Sequence, residues 1–180
     1  NDLKKASINF GKTAAQLIHF GQIKEASRLA ELAVRLNPKD ERLWLILAEI
    51  QVRNKLFEKA SFSLGKAKKI NPKNAQLWFV DSSIKLKQKN PKEAILLLKK
   101  GLIIDPKNAN GYLLLGNARI MQSKLRLALI AFKKATEIQP NFWESMNNQG
   151  LVLFEMGQTK QAILIWRKVL KIQENAEPML

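Results

Sequence analysis

The sequence predicts an all-α solenoid of five stacked helix–turn–helix repeats. Three observations carry that reading. Pro38, Pro72, Pro106 and Pro140 recur 34 residues apart without drift. With each proline at position 32 of a 34-residue repeat, position 20 is alanine throughout: Ala26, Ala60, Ala94, Ala128 and Ala162. Positions 20, 24 and 27 are then small or apolar and fall on one stripe at helical spacing, as in Ala128, Phe132 and Ala135.

The repeats run 7–40, 41–74, 75–108, 109–142 and 143–176. The first predicts helices over 3–20 and 22–36 with the turn at Gly21. The second predicts 41–53 and 56–70 around Asn54 and Lys55, with Asp40 as N-cap of the first helix. The third predicts 75–88 and 91–104 around Lys89 and Asn90, with Asn74 as N-cap. Pro91 opens its second helix, where a missing N–H costs little. The fourth predicts 109–121 and 124–138 around Ser123, capped by Asn108. The fifth predicts 143–155 and 158–172 around Gly157. Each second helix ends near position 30 (Leu36, Ile70, Ile104, Ile138, Ile172). In the first four repeats a proline two residues on cannot continue it and holds its predecessor extended; the fifth has Glu174 there. The large residue at position 4 (Phe10, Trp44, Trp78, Tyr112, Met146) opposite the small one at position 20 lets two antiparallel helices pack closely.

Composition sets the boundaries of function. The chain has 180 residues, 46% hydrophobic and 26% charged, a globular balance. Cysteine is absent, which excludes disulfides, thiolate metal sites and thiol catalysis. His19 is the only histidine, so no pair of histidines can act within one chain. No apolar run approaches the roughly 18 residues of a membrane span, and no signal peptide is visible. The expectation is a cytoplasmic protein, with membrane attachment left open through a segment outside this chain. The first residue is Asn rather than Met, so an N-terminal segment is expected to precede it. The net charge is +16, and it is concentrated: residues 51–135 carry 19 Lys/Arg against four acids. Such a field favours acidic partners.

These columns resemble the tetratricopeptide repeat (TPR) in about five copies. The fourth repeat is most similar, through Tyr112, Leu115-Gly116, Ala128, Phe132, Ala135 and Pro140. The first departs furthest, with Thr13 and Ala14 where Leu-Gly is usual, and the third has Asp81-Ser82 there. The resemblance implies a right-handed superhelix whose first helices line a concave groove. It implies scaffolding or peptide binding, with no catalytic residue, cofactor or metal. One array is expected over 1–180, with 177–180 as the start of a sixth repeat or a tail. Glu177 and Pro178 would open that repeat and Leu180 would take its position 4. The chain is therefore expected to be a piece of a longer array, able to self-associate through an uncapped final helix carrying Ile163, Trp166, Val169 and Leu170.

In proteins of the resembled family, positions 2, 5, 9, 12 and 13 line the groove. Position 5 supplies Leu45, Phe79 and Leu113, expected as ligand contacts; position 9 supplies Glu49, Ser83 and Asn117. Val52, Leu86 and Ile120 at position 12 read as packing residues. Asn117 and Asn148 match two asparagines of a carboxylate clamp, but Leu113 stands where its lysine would be. They remain candidates for bonding a peptide backbone. Arg42, Arg53 and Lys87 form a basic rim. The groove thus suits a peptide-like or helical segment with apolar anchors and acidic flanks.

Asp81 is expected to pair with Lys85 one turn on. Lys66, Lys68, Lys69, Lys99, Lys100, Lys133, Lys134, Arg167 and Lys168 are expected as an outer basic stripe. That stripe opens an alternative, nucleic-acid or anionic-membrane binding. A further alternative is an accessory domain of a larger enzyme. The Lys/Asn/Ile-rich usage points to an AT-rich bacterial genome. The chain is similar, at repeat level only, to cyanobacterial and plastid TPR proteins that assist photosystem assembly, so an assembly role is among the expectations.

Overall fold

The computed structural model describes residues 2–174. Ten helices follow one another among them: α1 (Asp2–His19), α2 (Ile23–Leu36), α3 (Glu41–Arg53), α4 (Phe57–Ile70), α5 (Ala75–Lys87), α6 (Pro91–Ile104), α7 (Ala109–Ile120), α8 (Leu125–Ile138), α9 (Trp143–Glu155) and α10 (Thr159–Glu174). Every boundary lies within two residues of the expected one. The expectations for Glu177, Pro178 and Leu180 fall outside the described residues.

The turn inside each repeat is one device used five times. Position 15 has positive φ in every case: Gly21 (72°), Lys55 (60°), Lys89 (57°), Ser123 (58°) and Gly157 (77°). Around it the position 16 N–H reaches back to the position 11 carbonyl, as in Asn90 N to Lys85 O at 2.8 Å. The position 15 N–H bonds the position 12 carbonyl, as in Ser123 N to Ile120 O at 2.7 Å. Two orphan carbonyls at each first-helix end are satisfied this way, and the chain reverses into the second helix.

Three of the four junctions between repeats are capped by side chains; before α9, Phe142 supplies no such bond. Asp40 accepts from Arg42 N, Asn74 from Gln76 N at 3.0 Å and Asn108 from Gly111 N at 2.8 Å. Trp44 and Trp78, both at position 4, donate their indole N–H to the carbonyls of Pro38 and Pro72 at 2.8 and 3.1 Å. Two columns of the repeat thus meet in one bond.

The chain divides into two compact units, Asn1–Ile84 and Lys85–Leu180, with the division inside α5. In the first, Ala14, Ile18, Ala26, Ala30, Ala33, Leu43, Leu47 and Ile50 form a core among α1, α2 and α3. Ala48, Ala60, Leu64, Ala67, Leu77, Val80 and Ile84 form a second core among α3, α4 and α5. In the second unit Ala128, Phe132 and Val152 are buried together, with Leu113, Ile120, Leu129 and Met156 packed around them. Val52 and Ile120 therefore pack as expected of position 12.

Candidate binding surface

In the first unit, Leu45, Glu49 and Arg53 stand four residues apart along α3, on one helix face. Leu45 is half-buried against the α3–α5 core and Arg53 is exposed. Glu49 stands at position 9, a groove-lining position in the resembled family. Here it is half-buried, with Gln76 Nε2 at 3.5 Å. Burial pushes its carboxyl above the ordinary value, opposed by the Gln76 bond and the charge of Arg53. This face is therefore mixed in charge rather than uniformly basic.

Three expectations in this unit are corrected. Phe79 is 2% exposed and belongs to the core, so it offers no ligand contact. Arg42 is not a free rim charge: its Nε and Nη2 donate to the two Asp40 oxygens at 2.9 and 2.7 Å. That pair and the Arg42 backbone N–H hold the Asp40 carboxyl below its usual value against the opposing effect of burial. Asp81 pairs with Lys68, not Lys85, and the two side chains are only 15% and 18% exposed. Lys68 also lies 4.5 Å above the Trp78 ring, which takes it off the outer stripe. Sequence spacing favoured the neighbour one turn away; the helix behind it supplied the closer cation. Lys85 instead holds Glu93 at 2.9 Å.

In the second unit, Asn148 Nδ2 on α9 donates to Asn117 Oδ1 on α7 at 3.0 Å. Both are half-buried, and Leu113 lies one turn before Asn117, also half-buried. Two details fix the α9 side of the pair. Ser145 Oγ, fully buried, donates to Phe132 O at 3.1 Å, and Trp166 Nε1 donates to Asn147 O at 3.4 Å. Asn117 Nδ2 and Asn148 Oδ1 make no bond among the described residues, leaving one donor and one acceptor. Lys87 is exposed at the end of α5.

Lys66, Lys69, Lys99, Lys100, Lys133, Lys134, Arg167 and Lys168 are exposed on the second helices, with Lys134 bonded to Glu137 at 3.0 Å. On α10 Val169 is buried, Trp166 half-buried, and Ile163 and Leu170 exposed. Among the described residues no group of three His, Asp or Glu side chains is placed to hold a metal ion. No helix there is long and apolar enough to cross a membrane.

Two family profiles, both described as tetratricopeptide repeat, match residues 17–78 and 131–163. No curated protein matches the chain in sequence. Among solved structures, TTC0263, a thermophilic TPR protein of Thermus thermophilus, is 20% identical with a TM-score of 0.82, covering 92% of this chain and 91% of its own. MamA residues 41 to the end, from Desulfovibrio magneticus, are 20% identical with a TM-score of 0.80 and 99% coverage of both chains. YrrB, described as a TPR protein with an unusual peptide-binding site, is 18% identical with a TM-score of 0.67, covering 93% of this chain and 87% of its own. Likeness at this level of identity shows the fold, an all-α array of antiparallel helix pairs.

Proposed function

Since this chain belongs to the tetratricopeptide repeat family, we propose that it is a non-catalytic scaffold holding a peptide-like segment against its first helices. The observation that carries the proposal is the Asn148–Asn117 bond. It joins amides from successive first helices and leaves a donor and an acceptor side by side. An extended peptide presents N–H and C=O groups alternately, so such a pair can bond its backbone whatever its side chains. Leu113, one turn away, offers apolar surface for an anchor, and Lys87 favours an acidic flank. In the first unit, Leu45 and Arg53 make a comparable pairing of apolar and basic groups along α3. The peptide-binding site ascribed to YrrB supports the class of ligand.

The test is a panel of acid-flanked apolar peptides titrated against the wild-type chain and N117A/N148A. A peptide bound by the wild type is expected to lose at least tenfold in affinity, with helicity unchanged. Equal affinities would remove the asparagine pair from the proposal. Nucleic-acid binding that collapses with salt and ignores N117A/N148A would move the function to the outer lysines. The exposed Ile163 and Leu170 on α10 support self-association as a second reading, read out by sedimentation velocity over rising concentration.

A further inference from the structure

We propose that the cleft between the turn after α5 and the turn after α7 binds a compact polyphosphate anion. The cleft has a volume of about 700 Å³. That lies within the roughly 300–1,000 Å³ typical of small-molecule sites. Lys89, Asn90 and Lys92 line one side, and Met121, Gln122 and Lys124 the other.

What sets it apart is that its free polar groups are donors. Lys89, Lys92 and Lys124 are exposed, and none takes part in an ion pair among the described residues. The two amides have their oxygens already engaged. Asn90 Oδ1 accepts from Glu93 N at 3.3 Å, and Gln122 Oε1 accepts from Arg119 Nη1 at 3.1 Å. Each amide therefore keeps its NH₂ group to give. No acidic side chain lines the cleft. Glu93, next to Lys92 on α6, is already held by Lys85 at 2.9 Å. Three ammonium groups and two amide donors, with no charge to balance them, call for a multiply charged acceptor.

Phosphate fits this set better than carboxylate. The lining cations are all lysines, point charges that suit a tetrahedral oxyanion, rather than arginine forks matched to planar carboxylates. The next pair of turns is lined differently. The neighbouring cleft after α7 and α9, about 510 Å³, is lined by Leu125, Leu127 and Met156 beside Lys124 and Arg126.

The probe is inorganic tripolyphosphate, titrated calorimetrically at physiological salt against the intact chain and two triple variants. K89Q/K92Q/K124Q removes the cleft lysines, and K99Q/K133Q/K168Q removes the same charge from the outer faces of α6, α8 and α10. The wild type is expected to bind one equivalent. The first variant is expected to weaken binding at least tenfold and the second less than twofold. No saturable wild-type binding, or equal weakening by the two variants, would overturn the site. Tricarballylate binding as tightly as tripolyphosphate would overturn the phosphate assignment. Co-sedimentation with phosphatidylglycerol vesicles, lost only in the cleft variant, would place the phosphate on a lipid headgroup; its absence beside tripolyphosphate binding would make it a free anion.

Discussion

The ring of Phe132 occupies the space that a Cβ on Gly116 would take. The residues sit at positions 8 and 24 of the fourth repeat, on the facing helices α7 and α8. The fifth repeat uses the same arrangement, with Gly150 under Trp166. Where position 24 is the smaller Leu64 or Leu98, position 8 is Ala48 or Ser82. In these four repeats a larger residue faces a smaller one, as close packing demands; the first has alanine at both positions, Ala14 and Ala30.

Gly116→Ala is expected to lower stability by about 1–3 kcal/mol, because the buried ring has nowhere to move. Gly65→Ala on α4, where a Cβ meets nothing within 4 Å, is expected to raise it by about 0.5–1 kcal/mol. Urea melts of the two variants check both signs.

Glu49 and Asp40 give opposite pH dependences. Burial raises the folded Glu49 value above 4.5, so its ionised form costs stability as pH rises through the window above 4.5. Glu49→Gln is therefore expected to be more stable than wild type at pH 7, with the gain vanishing at low pH. The Arg42 bond lowers the folded Asp40 value below 3.8, so its contribution is complete above 3.8 and fades as pH falls through the folded value. Asp40→Asn keeps a capping oxygen and isolates that charge effect. Since Arg42 is 67% exposed, the loss at pH 7 is expected to be about 1 kcal/mol or less. Thermal melts of both variants from pH 3 to 8 check the directions.

Lys68 and Asp81 are expected to be coupled. Asp81→Leu leaves the half-buried ammonium of Lys68 without its counter-ion and is expected to be clearly destabilising. K68M/D81L is expected to recover most of the loss, since an apolar replacement of a buried pair is often neutral. A double-mutant cycle should return a coupling of about 1–3 kcal/mol. A coupling near zero would mean that solvent screens the pair.

Ser63 Oγ donates to Gln51 Oε1 at 2.8 Å, and both residues are buried. Ser63→Ala removes the donor and leaves the amide oxygen unpaired, which is expected to cost about 1–3 kcal/mol. Gln51→Leu in the same background is expected to return part of it. Chemical denaturation of the single and double variants measures both.

Repeats, helix boundaries and turn positions were all legible in the order of residues. Their causes are local: a proline ends a helix, an asparagine or aspartate caps one, and position 15 turns the chain whether it is glycine, lysine or serine. Asn117 and Asn148 came forward through the family resemblance, which carries the asparagines of a carboxylate clamp onto these positions. Pairings that depend on which neighbour arrives first were settled only on folding. Asp81 took Lys68 from α4 over Lys85 on its own helix, and Asp40 held Arg42 at a helix start. Phe79 was drawn into the core, and Lys89, Lys92 and Lys124 were gathered around one cleft from two turns and the start of α6. A 34-residue period fixes where a side chain stands along its helix. Which side chain it meets depends on packing across helices, where distance in space no longer follows distance in sequence.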